Sequence, residues 1–185
     1  MEPRGPLDAG EWRKVLQRLS EELDGHSANV FVIGGVAVAL GYSLARRTTG
    51  DLDALFEPAT AEIVRSAAAR IAPEFGLQTE WLNDNALRRG FVTEMRTDGP
   101  IVFESISLHM AAPSREHLLA MKVAAMRTDV DVDDVLYLMQ GMTDDAGELW
   151  NLIGGMIPAA YRPAAEENLA RAIEVKLERE AAKRP

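Results

Sequence analysis

The chain has no cysteine. That absence excludes disulfides, zinc-thiolate centres and thiol catalysis, and it leaves no sign of an oxidising compartment. Positive charge is also scarce: 20 lysines and arginines stand against 29 acids, for a formal net charge of -9. A molecule of that sign repels nucleic acid and anionic membrane as a whole, so any RNA contact must be local. No apolar signal core follows residues 1–6, which predicts a cytoplasmic protein. Residues 28–45 are uncharged for long enough to raise a membrane span, but Asn29, Tyr42, Ser43 and three glycines interrupt them. A buried strand followed by a buried helix explains the same composition, and no membrane association is expected. Repeats and low-complexity segments are absent. The 185 residues suffice for one domain with a sizeable core, or for a core with an appended helical lobe.

What is present is organised around residues 30–56. An apolar run ends in Gly34 and Gly35, a helical stretch closes near Gly41, and a short strand sets Asp51 and Asp53 on either side of Leu52. Strand side chains alternate, so both carboxylates point to one face. Two acids placed this way repel each other unless a cation sits between them, which makes a divalent metal the natural reading. Gly34 and Gly35 lack side chains where strand turns into helix, so a phosphate can approach backbone N–H groups at the positive helix end. Cradle and carboxylates together point to nucleotide chemistry. A dinucleotide-binding turn is the competing reading, but it needs G-x-G-x-x-G; here two glycines are adjacent, the next is Gly41, and no further βαβ units follow.

Along the chain, helical periodicity predicts an amphipathic helix over residues 9–23, with Trp12, Val15, Leu16 and Leu19 on its apolar face. Strands are expected at 29–33 and 52–56, with helices at 35–45 and 58–71. Arg46, Arg47 and Thr49 occupy the loop that delivers the carboxylate strand. Their guanidiniums either meet phosphate oxygens or pair with Asp51, or else they are a solvated helix end. Trp81, Leu82, Asn83 and Asp84 fall between elements; Asn83 and Asp84 suit a cap or turn, and Trp81 either stacks on a base or fills the core. Residues 101–104 and 106–110 read as strands. Glu104 is a candidate third carboxylate, or an edge-strand glutamate facing water. Ser114 caps a helix in which Leu118, Leu119, Lys122, Ala125 and Met126 share one face, so Lys122 either snorkels or has a buried anionic partner. Asp133 and Asp134 open a helix to 140, and further helices are expected at 148–153 and 164–183.

Gly34-Gly35 followed by Asp51-x-Asp53 resembles the signature of the nucleotidyltransferase superfamily built on the DNA polymerase β fold. The run Arg46-Arg47-x-Thr49-x-Asp51-Leu52-Asp53 is similar, more narrowly, to a bacterial branch near the AbiEii-type, toxin-related nucleotidyltransferases. Trp81-Leu82-Asn83-Asp84, Leu118 to Lys122, and Asp131-x-x-Asp134 follow in the order of that branch, and the resemblance spans residues 30–138. It implies an α+β fold: a small mixed sheet of polymerase β-like type in residues 1–112 and a helical lobe in 113–185. It further implies Mg²⁺ or Mn²⁺ on Asp51 and Asp53, and transfer of a nucleoside monophosphate from an NTP to an acceptor hydroxyl. Gly34, Gly35, Arg47, Thr49, Lys122, Asp131 and Asp134 would hold the nucleotide, and Glu104 would act as base. The acceptor would be tRNA or a protein, and the chain would be the toxin of a toxin-antitoxin pair. The alternative is a catalytically degenerate member that binds a nucleotide or a protein neighbour without chemistry.

Overall fold

Asp8 starts the first helix through a reciprocal cap. Its carboxylate accepts from the Glu11 backbone N–H at 2.8 Å, while the Glu11 carboxylate accepts from the Asp8 N–H at 3.0 Å, so two otherwise orphaned donors are satisfied. Helix α1, Ala9–Glu22, then buries Trp12, Val15, Leu16 and Leu19, the stripe its periodicity predicts. The computed structural model describes residues 5–44, 48–85, 90, 98–127 and 129–183. The chain is α+β and divides into two compact units, residues 1–88 with 94–114, and residues 89–93 with 115–185.

The first unit carries a mixed five-stranded sheet. Strands β1 (Ala28–Val32), β2 (Leu52–Phe56), β3 (Leu82–Asn83), β4 (Ile101–Glu104) and β5 (Leu108–Ala111) lie in the order β3-β2-β1-β5-β4. β1 runs antiparallel to β2 and parallel to β5, β3 is parallel to β2, and β4 is antiparallel to β5. Between β1 and β2 a short α2, Gly34–Val36, passes into a π-helical segment, Ala37–Gly41. The expected helix to residue 45 therefore stops four residues early. The Tyr42 hydroxyl donates to the Pro113 carbonyl at 2.6 Å and Ser43 turns left-handed at φ 61°, which together redirect the chain.

Helix α3, Ala61–Phe75, begins later than residue 58 because the Glu57 carbonyl accepts the N–H groups of both Thr60 and Ala61, making a turn of the expected first residues. It is closed by Gly76 at φ 66°. β5 starts at Leu108 because Ser105 Oγ accepts from the N–H groups of Ser107 and Leu108, which turns the chain at Ile106.

The second unit is helical: α4 (Arg115–Ala125), α5 (Asp129–Leu138), α6 (Ala146–Ile153) and α7 (Arg162–Ala181). α4 is its core helix, with every residue from His117 to Ala124 buried. α5 begins at Asp129, one turn before the expected start. The Arg115 guanidinium donates to the carbonyls of Tyr137 and Gln140 at 3.1 and 3.0 Å, closing the end of α5 where free carbonyls collect. Asp145 caps α6 by accepting from Glu148 N–H at 2.8 Å. On α7, Arg179 pairs with Asp133 at 2.6 Å and Lys176 pairs with Asp144. Among the described residues no helix is long and apolar enough to cross a membrane.

Candidate functional site

The candidate site forms where β1 ends. The Ile33 N–H donates to the Asp53 carbonyl at 3.0 Å, so β2 holds Asp53 beside the turn into α2. Gly34 takes φ 69° at that turn, a conformation that L side chains rarely adopt. A Cβ on Gly34 would lie 2.9 Å from Asp53 Oδ2 and 3.5 Å from Asp53 Cβ. Space and backbone thus both demand glycine, and the carboxylate occupies the room that a side chain would take. Gly35 follows inside α2.

Asp51 precedes β2 and is exposed, whereas Asp53 is half-buried within it. Thr49 is bridged to Leu7 by two backbone hydrogen bonds of 2.9 and 3.1 Å, and its hydroxyl lies 3.1 Å from the Asp51 carbonyl and 3.2 Å from Asp51 Oδ1. That contact orients Asp51. Arg46 and Arg47 lie outside the described residues.

The short β3 adds a neighbour that the sequence reading did not assign. Leu52 pairs with Leu82 and Asp53 with Asn83 in a parallel register. Both leucines are buried and both polar residues half-buried, so Asp53 and Asn83 share the face that reaches solvent. Two anchors hold this edge. Trp81 is core: its indole N–H donates to the Ala68 carbonyl at 2.9 Å, and its ring lies 5.5 Å from that of Trp12. Asp84 pairs with Arg65 at 2.9 Å, and the same guanidinium lies 4.9 Å over the Phe56 ring.

Glu104 is not brought to this place. It pairs with His109, which is level with Asn29, four residues before Ile33 along β1. β4 is also three strands from β2. Ordinary strand spacing and rise put Glu104 about 14 Å across the sheet and about 13 Å along it from Asp53. Its exposed carboxylate lies instead 3.5 Å from His109 Nδ1.

In the helical unit, Lys122, Asp131 and Asp134 form a cluster of their own. All three are buried, Asp134 completely. Lys122 Nζ donates to Asp134 Oδ2 at 2.6 Å and lies 3.8 Å from Asp131 Oδ1, while Asp131 Oδ2 accepts from the Arg127 backbone N–H at 3.1 Å. Of the two readings open for Lys122, a buried anionic partner is the one observed.

Among the described residues no group of three or more histidines or acids gathers as a metal centre. Two carboxylates are nonetheless what Mg²⁺ commonly takes from a protein, with substrate phosphates and waters completing its shell. Asp51 and Asp53 offer such hard oxygen donors, and the bare Cα of Gly34 lets the Asp53 carboxylate pack against the turn. Their donor chemistry suits the ion. Compared with protein-family models, with curated proteins and with solved structures, the chain matches none.

Proposed function

We propose that the chain is a polymerase β-like nucleotidyltransferase, dependent on Mg²⁺ or Mn²⁺, that moves a nucleoside monophosphate from an NTP to an acceptor hydroxyl. The observation that carries this reading is the packing of the Asp53 carboxylate against left-handed Gly34 at the start of α2. A strand-to-helix turn without side chains then stands directly beside a metal-ligating acid, the arrangement a triphosphate needs.

In the proposed reaction the acceptor oxygen attacks the α-phosphorus, a new P–O bond forms, the bond to the β-phosphate breaks, and pyrophosphate leaves with the electron pair. The acceptor proton passes to solvent or to a base. Asp51 and Asp53 would hold a divalent cation, which would supply charge neutralisation for the triphosphate. Gly34 and Gly35 would admit the phosphates to the backbone, and Thr49 holds Asp51 through its hydroxyl. With a net charge of -9, the acceptor, tRNA or protein, must be met by a local surface. Action as a toxin with a cognate antitoxin is part of the same proposal.

One observation favours the second reading, a nucleotide-binding module without chemistry: the sheet order removes Glu104 from Asp53. Incubation with each labelled NTP, Mg²⁺ and total cell RNA or protein separates the two. Label transferred to a macromolecule supports the enzyme; NTP binding without transfer supports the module; neither binding nor transfer ends both.

A further inference from the structure

We propose that Asn83 is a ligand-contacting residue of this site, donating its side-chain amide N–H to a nucleotide oxygen; the inference rests on the nucleotidyltransferase reading of Asp51 and Asp53. Asn83 is the cross-strand neighbour of Asp53, and paired residues on adjacent strands stand about 4.8 Å apart on one face. Its position is fixed from both sides. Before it, the Leu52 N–H donates to the Trp81 carbonyl at 2.7 Å and Trp81 is locked in the core. After it, Asp84 is tied to Arg65. A side chain held between two such anchors is pre-organised for contact.

The polarity of the amide follows from its own turn. Asn83 Oδ1 accepts from the Asn85 backbone N–H at 3.0 Å, which assigns the oxygen to the protein and makes Nδ2 the group that would donate to a ligand. Nδ2 brings two N–H donors and no charge. Beside two carboxylates that would hold the cation, a third carboxylate would add repulsion, whereas an amide donor complements a phosphate or sugar oxygen. A purely structural asparagine would close the turn with Asn85 and do nothing for a ligand. The two roles separate by substitution.

Asn83→Asp keeps the size and the acceptor for Asn85 while exchanging the donor for an anionic oxygen. Asn83→Ser keeps a shorter acceptor and exchanges the two amide N–H donors for a single O–H of shorter reach. Thermal unfolding checks that each variant folds, and calorimetric titration with ATP, GTP, CTP and UTP, each as its Mg²⁺ complex, reads the site; Mn²⁺ alone is titrated in parallel. The expected result is nucleotide affinity reduced about tenfold or more in Asn83→Asp, with Mn²⁺ alone bound at least as tightly as by the wild type, and a smaller reduction in Asn83→Ser. Nucleotide affinity at or above wild type in both variants overturns the assignment of Asn83 and leaves the nucleotidyltransferase reading standing. A wild-type protein that binds none of the four nucleotides overturns both.

Discussion

Gly34 and Asp53 fit together as bare backbone and carboxylate: a methyl group on Gly34 would stand 2.9 Å from Asp53 Oδ2, closer than real Cβ contacts come. The pairing joins the end of β1 to the strand that bears Asp53, so it couples the fold of the turn to the position of the site.

Gly34→Ala is therefore expected to act in two ways. The left-handed φ of 69° costs about 1–2 kcal/mol once a Cβ is present, and the clash displaces Asp53. Denaturant unfolding of Gly34→Ala with and without Asp53→Ala separates them. Removing the carboxylate should recover more than about 0.5 kcal/mol of the loss, because residues in contact are not additive. Strict additivity would mean that the turn and the acid do not touch.

Asp51→Asn and Asp53→Asn should each abolish metal-dependent nucleotide binding and leave the apo fold intact, since the amide keeps the size of the carboxylate. In a thermal shift assay the wild type with Mg²⁺·NTP at 100 times its dissociation constant should gain roughly 2.7 kcal/mol. The variants should gain nothing. A wild type that gains nothing removes the nucleotide from the account.

Much of this site was legible locally. The two glycines, the alternation around Leu52 and the strand at 52–56 are readable within a few residues, and the structure reproduces that strand, Leu52–Phe56. What was not legible depends on pairing between distant segments. β3 has only two residues, too few for any periodicity, so nothing local shows that Asn83 pairs with Asp53. The order of the strands likewise decides that Glu104 faces His109. For Lys122 the interrupted apolar stripe left snorkelling and a buried anionic partner both open, because its partner Asp134 is twelve residues on, across the connection between α4 and α5.

Glu22 makes a prediction about acid. Arg70 donates to its carboxylate at 2.7 Å and Arg18 lies 2.8 Å from its other oxygen, linking α1 to α3. The hydrogen bond from Arg70, then that from Arg18, holds the carboxyl below its usual range. The stabilisation is thus fully present above the unfolded-state value and is lost as pH falls through the lower folded-state value. Melting curves of wild type and Glu22→Gln should be separated near neutral pH, converge in acid, and draw together in high salt. A separation that stays constant with pH would assign the effect to packing.

Lys122 offers the largest stability effect, because its ammonium is committed to a partner with no access to water. Asp134 is fully buried and accepts from Lys122 Nζ at 2.6 Å, and Asp131 is the next acid at 3.8 Å. Lys122→Met preserves the volume of the stem but takes the ammonium from buried Asp134, and breaking a buried pair from one side costs about 3–5 kcal/mol. A snorkelling lysine would show almost none of that loss. Replacing both residues, Lys122→Met with Asp134→Leu, removes the Asp134 charge and leaves Asp131 its bond from the Arg127 N–H, so part of the stability should return, as buried pairs exchanged for apolar residues of similar volume are often neutral. The double variant also isolates the role that the family resemblance gives these residues. With the fold restored, nucleotide affinity no longer reports on stability, and a phosphate-binding pair predicts a fall of roughly 10- to 150-fold, the worth of a hydrogen bond to a charged group. Unchanged affinity in that variant would confine Lys122 and Asp134 to holding α4 against α5.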